Sequence, residues 1–338
     1  MTKILFDGSF LDLHTGIGQD SRMIYSELNE YFELKTLFPG SPLLSHRIRR
    51  KFLSARFFLT KKFYYVSSQR EFKFFQSQIS SVVPKGNCAV WAIRVHDIFP
   101  LTNPEWFASI TANNFCRQIR KAEKNNAIII TSSEYTKKQI LKHLPGFNNR
   151  VFVYPCKVRN FPRKKCYNCS ACKLIKEKKI QDKFFIAVGT VEPRKNYDLA
   201  IDFYELSSIH EMLPQLVVVG TRGWKTNKIC QKLKHFNKNK ILWLETCCDG
   251  ALNYLFSFST AFISFSKNEG FNLPAMEAHQ IFQKPLILTD IAIHREYHSQ
   301  HAYFFRTTHE LKDIYRKELV SGEPNPKTPS KALINIFT

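Results

Sequence analysis

The C-terminal half of the chain repeats one pattern, a short apolar run followed by a segment of helical period. The runs are "FFIAVGT" (184–190), "QLVVVG" (215–220), "ILWLE" (241–245), "AFISFS" (261–266) and "PLILTD" (285–290), with stretches such as "YDLAIDFYELSSI" and "GALNYLFSFS" between them. Buried strands spaced by helix-length segments define βαβ units, and these predict a parallel sheet covered on both faces. The N-terminal half follows the same grammar in "KILFDGSF", "AVWAIRV" (89–95), "NAIIITS" (126–132) and "RVFVYP" (150–155). At 338 residues, with 44% hydrophobic residues and 30 Phe, the chain can bury two cores. The expectation is therefore α/β, two Rossmann-like domains of residues 1–165 and 166–338 whose parallel sheets face each other across a cleft.

Ligands bind open parallel sheets beyond the carboxyl ends of the strands, so residues that follow each run are the candidates for chemistry. After the first run, "HTGIGQDSRMIYSEL" offers Gly16 and Gly18, which permit close backbone approach at the start of a helix. After "AVWAIRV" come His96 and Asp97, and after "FFIAVGT" come the adjacent cations Arg194 and Lys195 in "VEPRKNYD". A planar fork beside a compact charge suits a diphosphate. After "AFISFS", the stretch "KNEGFNLPAMEAHQ" sets Glu269 and Glu277 eight positions apart. Gly270 and Pro274 interrupt any continuous helix between them, which leaves Glu269 on a loop and Glu277 just inside a helix whose first turn holds the proline. Taken singly, each feature has an ordinary reading as a tight turn, a structural histidine, a basic helix start or two surface glutamates.

A formal charge of +22 implies an anionic partner, whether nucleic acid, membrane surface or phosphorylated substrate. Part of the excess is local. Residues 47–70, "RIRRKFLSARFFLTKKFYYVSSQR", carry eight Arg or Lys and no acidic residue, interleaved with Phe and Tyr. That composition suits an anionic lipid surface, and equally a solvated helix face packed on its domain. No apolar stretch reaches the length of a membrane span, and "MTKILFDGSF" leads directly into a strand, so a cytosolic protein without a signal peptide is expected. Cys156, Cys166, Cys169 and Cys172 cluster near the domain junction and could ligate zinc or an iron–sulfur cluster. The weightier reading is reduced cysteines in an exposed linker. Cys88, Cys116, Cys230, Cys247 and Cys248 show no ligand spacing.

In this order, "VGTVEPRKNYDLAI", "LVVVGTRGW", "SFSKNEGFNLPAMEA" and "PLILTDIAIHREY" resemble the retaining glycosyltransferases of family 4, which have the GT-B fold. "TGIGQDSRMIYSEL", "VHDIFPLTNPEWF" and "ITSSEYTKKQIL" resemble that family's N-terminal motifs. The likeness is to bacterial mannosyl- and rhamnosyl-type transferases of surface polysaccharide synthesis. It implies that Glu269 lies at the donor sugar, that Glu277 accepts hydrogen bonds from the nucleotide ribose, and that the amides of Phe271, Asn272 and Leu273 bind sugar hydroxyls and phosphate. It places Gly16, Gly18 and Gly189 on the donor, Arg194 and Lys195 on the diphosphate, and His96 on the sugar.

The implied reaction moves a hexose from a nucleotide-sugar, GDP-mannose first, to a saccharide or lipid-linked acceptor, with retention and without a metal or other cofactor. Anionic membrane is a further implied partner, peripheral on the cytoplasmic face, and nucleic acid is not. A sugar-nucleotide hydrolase or epimerase would use the acids but leaves the cations unexplained. A nonenzymatic basic nucleic-acid-binding protein leaves unexplained the donor motifs in both halves. Two departures stand out: Asn272 occupies the place of a second family glycine, and the final "SGEPNPKTPSKALINIFT" looks poorly ordered or short.

Overall fold

The computed structural model describes residues 3–11, 13, 15–37, 72–79, 88–159, 161, 169–177, 179–206, 213–322 and 332–338. The basic stretch 47–70 and Cys166 lie outside the described residues. The chain forms two compact units, one of residues 1–102, 109–157 and 328–338, the other of 103–108 and 158–327. The sequence reading divides the chain after residue 165, whereas the units part between Lys157 and Val158.

The first unit is built on β1 (Lys3–Asp7), β2 (Glu33–Leu37), β3 (Phe72–Gln76), β4 (Cys88–Val95), β5 (Ile128–Thr131) and β6 (Val151–Val153). They lie in the order β2-β1-β3-β4-β5-β6 with every pair parallel. The helix Gly16–Tyr31 starts where Thr15 caps it, its side chain accepting from the Gly18 amide. Gly18 is required by close approach, since a Cβ there would meet the Leu13 carbonyl oxygen at 2.0 Å.

Residues 323–331 of the tail lie outside the described residues, and its last stretch differs from the expectation. Residues 332–338 carry the helix Ala332–Asn335, and Leu333 and Phe337 are fully buried beside Ile4, Phe6 and Phe75. Lys73 of β3 donates to the Phe337 carbonyl. Apolar burial, which the polar composition before residue 332 hides, anchors the segment.

The second unit contains β7 (Phe184–Val188), β8 (Gln215–Val219), β9 (Ile241–Leu244), β10 (Ala261–Ser264), β11 (Leu286–Thr289) and β12 (Ala302–Phe305). All pairs are parallel, in the order β12-β11-β10-β7-β8-β9. Successive side chains of a strand point to opposite faces, and here both faces are covered. Phe185 and Ala187 of β7 join Leu216 and Val218 in one core, while Phe184 and Ile186 join Val217 and Val219 in the other. That double burial is why these strands read as unbroken apolar runs. The winding goes outward from β7 to β9, then returns to β10 on the other side of β7 and runs outward to β12. The chain thus reverses between β7 and β10, the topological switch point at which such sheets bind ligands.

Candidate functional site

The loops that leave β7 and β10 at this switch point carry most of the expected donor residues. After β7, Gly189 adopts φ +147, and a Cβ there would lie 2.9 Å from Cε of Lys195. The missing side chain gives Lys195 room to fold back over the strand end. Pro193–Lys195 form one tight turn closed by Asn196 in the left-handed region, φ 55, before the helix Tyr197–Leu206 begins.

Lys195 Nζ meets Glu269 Oε1 at 2.6 Å, and Ser266 Oγ donates to the same oxygen at 2.7 Å. Arg194 forms an ion pair with the other oxygen of Glu269, reaches Glu192 Oε1 at 2.5 Å, and donates to the Asn268 carbonyl at 3.1 Å. The Lys267 amide returns a bond to the Arg194 carbonyl at 2.8 Å, so backbone as well as charge ties the two loops together. Glu192, Lys195 and Glu269 are all buried. Burial by itself would raise the pKa of Glu269, but the adjacent Arg194 and Lys195 charges and the hydrogen bonds prevail and hold it at about 2. Glu269 is therefore a carboxylate at neutral pH.

Asn272 takes the left-handed conformation, φ 63 and ψ 59, directly before the helix Leu273–Gln280, whose first turn holds Pro274 as the sequence indicates. Its Nδ2 lies 2.8 Å from His294 Nε2 and 3.4 Å from Ser264 Oγ. The Ser264 hydroxyl in turn donates to Ser266 Oγ at 3.1 Å, linking Asn272 to Glu269 through two serines. His294 Nδ1 lies 2.8 Å from the Thr289 carbonyl. A carbonyl only accepts, so Nδ1 carries the proton and Nε2 accepts from Asn272. Burial pushes the imidazole down to about 4, consistent with this neutral form.

Glu277 is buried within its helix, and its Oε1 accepts from Arg159 Nε at 3.0 Å. Arg159 also pairs with Asp249 at 2.8 Å and lies over the Phe161 ring, 4.2 Å from its centroid. Phe271 is buried edge-on against Tyr297, with centroids 4.8 Å apart, and Leu273 opens the helix.

Gly16, Gly18 and His96 belong to the first unit. His96 follows β4 with Nε2 3.6 Å from Asp20 Oδ2, and Asp20 lies in the helix that Gly16 opens. Arg94 binds Asp20 through Nε at 2.8 Å and a terminal nitrogen at 3.1 Å, and donates to the Tyr154 carbonyl at 2.6 Å. Burial outweighs the pull of Asp20 and pushes the His96 pKa down to about 4, leaving a neutral imidazole.

The thiols regroup. Cys156 belongs to the first unit, 3.2 Å from an Arg94 nitrogen, and Cys169 and Cys172 belong to the second. Their neighbour is Cys248, with Sγ of Cys169 3.4 Å from Cys172 and 3.3 Å from Cys248. Cys172 is buried, unlike a cysteine of an exposed linker.

Arg159, Asp249, His294, Asp20 and Cys248 are the residues that sequence reasoning missed. His294 alone had a signal, as the only histidine of "PLILTDIAIHREY".

Two α/β units with parallel six-stranded sheets are the architecture of the GT-B glycosyltransferases. The fold matches the lipopolysaccharide-biosynthesis glycosyltransferase WaaG with a TM-score of 0.59 at 13% identity, over 94% of this chain and 90% of that one. It matches Anabaena HepE, crystallised with UDP-glucose, with a TM-score of 0.62 at 14% identity, over 94% and 89%. Residues 173–317 match the family of glycosyl transferases group 1, and this part of the chain is a glycosyltransferase group 1 domain. In sequence the chain is homologous to the serotype-specific mannosyltransferase WbdA of Escherichia coli, 29% identical over 341 residues, covering 90% of this chain and 40% of WbdA. It is also similar to the Escherichia coli O-antigen chain mannosyltransferase B, at 26% identity over 54% of this chain and 49% of the relative. The chain spans about 40% of the length of the WbdA relatives it matches.

Proposed function

We propose that this chain is a retaining glycosyltransferase that moves a hexose from a nucleotide-sugar, GDP-mannose first, to a saccharide or lipid-linked acceptor. The observation that carries the reading is the Arg194–Lys195–Glu269 cluster at the switch point between β7 and β10. The mannosyltransferase relatives support the choice of mannose, and a crystallised complex of HepE with UDP-glucose supports a nucleotide-sugar donor.

Breaking the bond from the anomeric carbon to the diphosphate leaves negative charge on phosphate and positive charge on the sugar ring. Arg194 and Lys195 are assigned to the departing diphosphate, doing electrostatically what a divalent ion does elsewhere. Glu269, held ionised by the same cations, is assigned to the donor sugar, and Glu277 to the ribose hydroxyls. The amides of Phe271, Asn272 and Leu273, with Gly16, Gly18 and Gly189, complete the donor contacts. The neutral imidazole of His96 is assigned to a sugar hydroxyl. The acceptor hydroxyl attacks the face that the leaving group vacates, and a phosphate oxygen takes its proton.

The test is transfer from GDP-mannose to a mannose-terminated oligosaccharide, with UDP-glucose as the comparison donor and the anomeric configuration of the product read by NMR. An α-linked product formed from GDP-mannose is expected. Release of free mannose at the same rate with and without acceptor would make the chain a hydrolase, and an inverted product would remove the retaining mechanism. The cations of residues 47–70 are assigned to an anionic membrane at which a lipid-linked acceptor resides, each contributing about 1 kcal/mol near the surface. Sedimentation with anionic vesicles at low salt should carry the protein down, and its absence there would overturn the membrane assignment.

A further inference from the structure

Three thiols from two distant stretches of chain converge in the second unit and take no part in the reaction above. Cys169 and Cys172 lie at the start of the helix Ser170–Lys176, and Cys248 immediately precedes the helix Asp249–Phe258. Their Sγ atoms are 3.3, 3.4 and 3.9 Å apart. Thiolates on a tetrahedral zinc ion, at Zn–S of about 2.3 Å, lie about 3.8 Å from one another. A circle through the three sulfurs has a radius of about 2.1 Å, so an ion at bonding distance sits about 1 Å above their plane, as the apex of a tetrahedral site does. The sulfurs are also prepared for negative charge. Cys169 Sγ accepts from the Cys172 amide at 3.4 Å, and Cys248 Sγ accepts from the Ala251 amide at 3.3 Å. Cys172, Ala171, Ala251 and Leu252 are buried in one apolar core beside the cluster, which keeps water from one side of it.

We propose that Cys169, Cys172 and Cys248 bind one zinc ion. Three soft sulfur donors select a thiophilic ion over magnesium or calcium, and each thiol releases its proton to solvent on ligation. The fourth tetrahedral position takes a water or a further donor. One disulfide would consume two of the thiols and leave the third, whereas a single ion engages all three. The site is a staple. It joins the segment at Cys169 to the residue before Asp249, and Asp249 holds Arg159, which holds Glu277.

The test uses the full chain, stripped of metal under reducing conditions, titrated with zinc against a chromophoric chelator and separately with cobalt(II). About one zinc per chain and an intense sulfur-to-cobalt charge-transfer band are expected. Cys248→Ser keeps a residue that caps helices well, so the fold should survive, as checked by circular dichroism. It should weaken zinc binding by more than about tenfold, the lower end of what even outer-shell changes cost. Cys116→Ser, whose thiol lies 3.8 Å from the Pro100 carbonyl and belongs to no thiol cluster among the described residues, is the control and should leave affinity unchanged. Zinc uptake equal to that of a triple Cys169→Ser, Cys172→Ser, Cys248→Ser variant would overturn the site. So would recovery of these cysteines as a disulfide with no zinc taken up, or of an iron–sulfur chromophore in its place.

Discussion

Lys195, which follows β7, meets Glu269, which follows β10, at 2.6 Å, so one ion pair spans the two loops at the point where the second sheet reverses. Neither residue is surplus. The carboxylate keeps the lysine aimed at the strand end, and the lysine helps keep the carboxylate charged.

Changing Lys195 to Ala should therefore separate two ligands. Affinity for GDP should fall by about tenfold or more, the value of a charge-assisted hydrogen bond to phosphate, while affinity for guanosine stays unchanged. Calorimetric titration of both ligands reads the difference, and equal losses would place the lysine away from phosphate.

The Arg159–Glu277 pair makes a different prediction. Arg159→Met leaves the buried Glu277 carboxylate without the Nε bond, which should cost about 1–3 kcal/mol in chemical denaturation. It should also weaken guanosine and GDP binding by similar factors if Glu277 binds the ribose as proposed, because its carboxylate loses its orientation. Unchanged nucleoside affinity would mean that Glu277 does not need Arg159 to act.

His294 should contribute to the acid sensitivity of the second unit. Its pKa is depressed from 6.5 to about 4, so below 6.5 the unfolded chain binds a proton that the folded chain refuses. The stabilisation is complete above about pH 6.5 and is lost as pH falls toward 4, amounting to about 3 kcal/mol. Glu269, depressed from 4.5 to about 2, adds a further loss as pH falls through 4.5 toward 2. Denaturation of wild type and His294→Gln at pH 4.5 and 7.5 should show a smaller pH dependence in the variant. An unchanged dependence would place the titration elsewhere, and His96, also held near 4, is the next group to test.

Most of the strands legible in the sequence are buried on both faces and so form uninterrupted apolar runs, although β6 (VFV) is legible too while lying at an edge with Phe152 exposed. β2 (ELKTL) and β3 (FKFFQ) interleave charged or polar residues, and β12 (AYFF) is short and at an edge, so all three escaped the pattern. Likewise the local motifs marked Arg194, Lys195, Glu269 and Asn272, because each stands on a loop that follows a strand, although the pairing of Lys195 with Glu269 spans 74 residues. Arg159 and Cys248 could not be found that way. Arg159 is one cation in a basic stretch, and its partners lie 90 and 118 residues further along. Cys248 is separated from Cys169 by 79 residues, so no local spacing marks it as a partner.

Leu333 and Phe337 fill the space beside β1 and β3, strands made some 330 and 260 residues earlier. During synthesis the second unit, apart from residues 103–108, has all its strands by Phe305, whereas the first keeps an open apolar face until Phe337 is made. The unit that begins first is thus the one that finishes last, and in the interval the exposed surface around Phe6 and Phe75 is the place where a nascent chain would be captured by a chaperone or by another copy of itself.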